Sequence, residues 1–127
     1  MKVLVDTSTW IDYFRGNAGA DAVDILIEEN VITTNQLILA EIVPSLYVHN
    51  QKQWIAPLRE IKQYPVAVDW DALVLMQIKC LKNGINKIGI PDLIIAQHTM
   101  QHNLHLLSAD KHFALMAKIM PLLIYKK

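Results

Sequence analysis

The stretch Met1-Lys2-Val3-Leu4-Val5-Asp6-Thr7-Ser8-Thr9-Trp10 passes within a few residues from an apolar run to a carboxylate and then to hydroxyl side chains. An apolar run that is continuous rather than alternating suits a parallel strand covered on both faces. Asp6 ends that run, and Asp or Ser ahead of a helix is a routine N-cap, with helical periodicity continuing over Thr9–Phe14. A strand that leads through a polar turn into a helix is the unit of an α/β fold.

The same alternation recurs downstream. Further β-branched or apolar runs at Asn30–Thr33, Tyr64–Val68, Leu104–Leu107 and Pro121–Tyr125 join Lys2–Val5 as expected strands. Between them Ala20–Glu29, Gln36–His49, Gln53–Lys62, Asp71–Lys82, Pro91–His102 and Lys111–Lys118 carry helical periodicity. Strands separated by helices imply right-handed crossovers. The expected fold is a three-layer α/β domain, a central, mainly parallel five-stranded sheet flanked by helices. Its crevice lies beyond the carboxyl ends of the strands, where Asp6 and Asp110 fall.

The chain of 127 residues is one domain by size, 1–127, with no linker, repeat or low-complexity tract. Hydrophobic residues make up 53% and charged ones 19%, which argues against disorder. Twelve basic residues balance twelve acidic ones, so bulk charge gives no support to nucleic-acid binding, and any such binding needs a local patch. Cys80 is the only cysteine and sits in an apolar run, as a buried small hydrophobe would. The start lacks the long apolar region of a signal peptide, and no uncharged stretch is long enough to cross a bilayer, so a cytoplasmic protein with no membrane partner is expected.

Four carboxylates occupy unusual places. Asp6 and Asp110 end apolar runs, and Asp92 follows Pro91 at a helix start, where an acid also suits the helix dipole. Each of these three has an ordinary reading as a cap or first-turn residue. Glu41 differs, being the only charged residue between Asn30 and His49, on a helix apolar nearly all the way round. Burial is expected there, on a stripe with Leu37, Ala40 and Pro44, and an unpaired buried carboxylate is costly. Its partner is then a metal ion or, as the plainer alternative, a salt bridge to Arg15 or Lys87. Acids brought together by folding suit hard, oxygen-loving cations such as Mg²⁺ or Mn²⁺, which points to a metal-dependent phosphodiesterase, above all a ribonuclease.

Weaker signals have plainer explanations. His98 and His102 have the i, i+4 spacing of a zinc site, with His105 nearby, but lack the glutamate of the metalloprotease motif, and surface histidines are the default. Asp69 and Asp71 flank Trp70 before a helix and read as caps. Gly84 and Gly89 fit a helix stop and a loop, with no phosphate-loop spacing. Lys87, Arg15 and Lys111 lie near the acids in sequence and could touch a phosphate.

The chain resembles the PIN domain family, and within it the VapC ribonuclease toxins of type II toxin–antitoxin pairs. Val5-Asp6-Thr7-Ser8-Thr9-Trp10-Ile11-Asp12 with Phe14-Arg15-Gly16 resembles the opening motif, Leu39-Ala40-Glu41-Ile42 the central helix, Ile90-Pro91-Asp92-Leu93-Ile94-Ile95-Ala96 the third motif and Leu106-Leu107-Ser108-Ala109-Asp110-Lys111-His112-Phe113 the last. Two departures stand out: His112 replaces a frequent acid, and Pro44-Ser45 a small residue one turn after the glutamate. The resemblance implies a PIN-like fold and hydrolysis of RNA by a metal-activated water. It implies Mg²⁺ (or Mn²⁺) held by Asp6, Asp92 and Asp110, with Glu41 binding directly or through water. Thr7 or Ser108 would bond the metal's waters or orient a carboxylate. It also implies a homodimer and a cognate antitoxin that covers a groove and blocks the site. Two rivals remain: a PIN-like interaction module without catalysis, and a phosphoacceptor receiver domain, which would want paired acids after strand one and has no place for Glu41.

Overall fold

The computed structural model describes residues 1–17 and 19–126. Five strands, β1 (Val3–Val5), β2 (Ile32–Thr34), β3 (Lys62–Gln63), β4 (His105–Leu107) and β5 (Leu123–Ile124), form one sheet in the order β3-β2-β1-β4-β5. Every pairing is parallel, so the expected "mainly" becomes "entirely". Helices α1 (Thr7–Phe14), α2 (Ala20–Glu28), α3 (Gln36–Val48), α4 (Ile55–Arg59), α5 (Trp70–Lys82), α6 (Ile90–Gln101) and α7 (Lys111–Met116) supply the crossovers. Val3, Leu4 and Val5 are fully buried in the central strand. That burial on both faces explains why the run shows no alternation. Among the described residues no helix is long and apolar enough to cross a membrane.

The third strand departs from expectation. Tyr64–Val68 joins no ladder, and the strand lies just before it, with Lys62 opposite Thr33 and Gln63 opposite Thr34. Pro65 has no N–H to give a ladder. The extended stretch is instead held by side chains of α6 and of its C-cap, His102. Gln97 accepts from the Asp69 N–H at 3.0 Å and donates to the Asp69 carbonyl at 2.9 Å. Gln101 Nε2 donates to the Ala67 carbonyl at 3.1 Å, and His102 Nε2 lies 3.2 Å from that of Pro65. The early strand shortens the helix expected at Gln53–Lys62, which becomes a 3₁₀ turn at Lys52–Trp54 followed by α4. Pro44 does not interrupt α3.

The expectation of surface histidines on α6 also fails at one position. His98 is only 1% exposed, its ring 4.6 Å (centroid to centroid) from that of His102, and neither of its nitrogens has a partner among the described residues. Burial, with His102 adding to it, lowers its pKa from 6.5 to about 4. The unfolded chain therefore binds this proton more readily, and the neutral ring's contribution is complete above pH 6.5 and lost as pH falls towards 4. Thermal melts across that window should show a steep loss of stability that His98→Leu removes. An unchanged slope in the variant would contradict the assignment.

Candidate active site

The four acids come from four separate segments. Asp6 follows β1, and its N–H donates to the Leu107 carbonyl at the end of β4 (3.0 Å), which fixes the two strand ends side by side. Asp6 precedes α1 but makes no side-chain cap. Its Oδ2 instead accepts from Ser8 Oγ and from Ser108 Oγ, both at 2.9 Å, in a pocket that leaves the residue 5% exposed. Ser108 also accepts from the Asp110 N–H at 3.0 Å and so positions the start of α7. Capping, the ordinary reading of Asp6, is not what its side chain does.

Asp110 does cap. Its Oδ1 accepts from the His112 N–H at 2.9 Å, and His112 Nδ1 stands 3.0 Å from the same oxygen. Asp92 lies half-buried in the first turn of α6 after Pro91. Asp69 behaves as the cap expected of it, accepting from the Ala72 N–H at 3.1 Å. Asp71 is exposed in the first turn of α5.

Glu41 overturns an expectation. It is exposed, not buried. The core side of α3 is Ile38, Leu39, Ile42 and Leu46, while Gln36, Ala40, Glu41 and Pro44 are exposed. An evenly apolar helix gives no hint of which side meets the core. Among the described residues Glu41 has no ion pair with Arg15 or Lys87; it accepts a 2.8 Å hydrogen bond from Thr7 Oγ1. Thr7 and Ser108 thus each hold a carboxylate, and Ser8 is a third such hydroxyl that the sequence reading missed. Its position two residues after Asp6 was the available signal.

Asp6, Asp110 and Glu41 lie near enough to Asp92 for their charges to act on it. Burial raises the pKa of Asp92, and the charges of Asp6, Asp110 and Glu41 raise it further, against an opposing effect of His112. The donor set is all oxygen and its charge is uncompensated by lysine or arginine, the chemistry a hard divalent cation fits. Among the described residues no group of three His, Cys, Asp or Glu is yet arranged to hold a metal ion. Hydroxyl bonds from Ser8, Ser108 and Thr7 and the helix cap at Asp110 engage these carboxylates, so joint ligation of one ion would require side-chain movement. Asp6, Asp92 and Asp110, with Glu41 beside them, are the residues that could do it.

Other features lie apart. A hollow of about 440 Å³ is lined by Trp10, Phe14, Trp54, Leu58 and their neighbours and contains none of the four acids. Cys80 is fully buried, and burial raises its thiol pKa.

The PIN domain family profile matches residues 3–119. No curated protein matches the chain by sequence. Among solved structures, VapBC2 from Rickettsia felis, bound to a DNA fragment from its promoter, is similar at TM-score 0.71 and 17% identity over 98% of each chain. FitAcB from Neisseria gonorrhoeae is similar at TM-score 0.69 and 18% identity, over 98% of this chain and 96% of that one. The sarcin–ricin-loop-cleaving toxin VapC20 of Mycobacterium tuberculosis is similar at TM-score 0.63 and 14% identity, over 90% and 94%.

Proposed function

The chain belongs to the PIN domain family, and we propose that within it the protein is a metal-dependent endoribonuclease, the toxin of a toxin–antitoxin pair that inhibits translation or growth. The observation that carries this reading is that three carboxylates from other segments, Asp6, Glu41 and Asp110, crowd Asp92, and among the described residues no lysine or arginine is paired with any of the four. An inactive interaction module would have no use for that repulsion.

Asp6, Asp92 and Asp110, with Glu41, would hold Mg²⁺ or Mn²⁺, which when bound orients and acidifies a water and neutralises charge on the phosphorane. The chain's own part is positional. Ser8 and Ser108 both bind Oδ2 of Asp6, which fixes the carboxylate's plane and leaves Oδ1 without a hydrogen bond among the described residues. Thr7 aims Glu41 across from α1 to α3. Purified protein should cleave structured RNA with Mg²⁺ or Mn²⁺ and stop in chelator. Undiminished cleavage in excess EDTA rejects the metal-dependent mechanism.

Two surfaces support the proposed partners, alongside the VapBC and FitAcB similarities. The aromatic hollow between α1 and α4 offers an apolar seat for an antitoxin segment. On α5, Trp70, Val74, Ile78 and Leu81 form an exposed stripe at helical spacing, with Leu75 beside it at 66% exposure. Such a face calls for a partner, and a second copy of the chain is the proposed one. Wild-type protein at micromolar concentration should sediment mostly as a dimer, and Ile78→Glu as a monomer with its fold intact. A wild-type monomer with full activity overturns the dimer.

A further inference from the structure

A second hollow, of about 400 Å³, lies where β2 and β3 end, against the exposed side of α3. It is unlike the aromatic one. Polar groups converge on it from three elements: Gln36 on α3, Arg59 at the end of α4 and Gln63 on β3. Gln36 Nε2 donates to Gln63 Oε1 at 3.1 Å, and Gln63 Nε2 donates to the Arg59 carbonyl at 3.4 Å. The two amides are therefore held in fixed orientations, with the carbonyl oxygen of Gln36 and one N–H of each still free to bond. Among the described residues Arg59 has no carboxylate partner.

Pro44 adds an acceptor. It lines the hollow with Ala40, and because proline has no N–H, the Ala40 carbonyl lacks its helical partner four residues on. Val43 and Pro44 supply an apolar wall, and Glu41 follows Ala40 directly on the same helix.

We infer that this hollow is a subsite for one unpaired purine of the substrate RNA, flanking the phosphate that is cut. The volume lies in the range of small-ligand sites. Glutamine amides and arginine are the side chains that form paired hydrogen bonds with adenine and guanine edges, and recognition of RNA sequence falls mainly on unstacked bases. Arg59 also supplies local positive charge in a protein of zero net charge whose acidic crevice repels the substrate. This inference rests on the ribonuclease reading and names what that site selects.

The test uses full-length protein carrying Asp92→Asn, which should block cleavage, and fluorescein-labelled single-stranded decamers of oligo(A), oligo(U), oligo(C) and a mixed sequence with one central G. Binding is read by anisotropy at several salt concentrations. Purine-containing decamers should bind best. Adding Arg59→Ala should weaken them about tenfold, and adding Gln36→Ala should erase the difference between purine and pyrimidine. Arg59→Lys keeps the charge, so it should retain the salt dependence while losing preference. In the active protein, Arg59→Ala should shift cleavage positions and raise KM more than it lowers kcat. If wild-type protein cleaves RNA but Arg59→Ala and Gln36→Ala leave affinity, preference and cleavage positions unchanged, the subsite is refuted and the ribonuclease stands. If wild-type protein neither binds nor cleaves RNA, both fall together.

Discussion

Asp6→Asn and Asp92→Asn should each reduce Mg²⁺-supported RNA cleavage by about a hundredfold or more, while Asp71→Asn keeps nearly all of it. The contrast follows from what each carboxylate does. Asp6 is almost wholly buried, bound by two serine hydroxyls, and does not cap the helix it precedes. Asparagine there keeps the shape but removes the charge, which leaves no structural role to account for lost activity. Asp92 stands where the fields of the other three acids meet. Asp71 is exposed in the first turn of α5 and does no more than complement a helix dipole, worth about 0.3–1 kcal/mol. Cleavage assays with melting curves of all three variants decide the matter. Equal loss at the three positions would mean that the substitutions act through folding and that the crevice has no special part.

The second large effect separates stability from catalysis. In chelator, Asp92→Asn should melt several degrees above the wild type at neutral pH. The folded protein holds the Asp92 pKa above its ordinary value, first through burial and then through Asp6, Asp110 and Glu41. A raised pKa means the ionised form is disfavoured by folding, so this group costs stability once pH rises past its ordinary range, and the cost vanishes as pH falls below it. The gap between variant and wild type should therefore close on acidification. In Mg²⁺ the order should reverse, because the wild type gains stability in proportion to ligand affinity and the variant does not. Glu41→Gln should change the metal-free protein little, since Glu41 is exposed and glutamine can still accept the Thr7 bond. An Asp92→Asn protein less stable in EDTA than the wild type would show that Asp92 is a structural cap.

Much of this was legible in the chain. Continuous apolar runs such as Val3–Val5 announce strands covered on both faces, and Asp6, Asp92 and Asp110 are visible because each stands at a strand end or helix start. These signals are local, carried by neighbours in sequence, and they survive any detail of packing. What escaped the sequence depended on distant segments. Strand β3 sits at Lys62–Gln63 because a strand extends only where a neighbour offers a register, here Thr33 and Thr34 of β2, and because α6 side chains take up the backbone that follows. Glu41 is exposed, and His98 buried, because the side of a helix that meets the core is chosen by the whole packing of the domain. The helices α3 and α6 are apolar over too much of their circumference to declare that side themselves. The crevice is likewise a product of topology: parallel β1 and β4 end side by side and bring Asp6 and Ser108 within hydrogen-bonding distance across a hundred residues of chain.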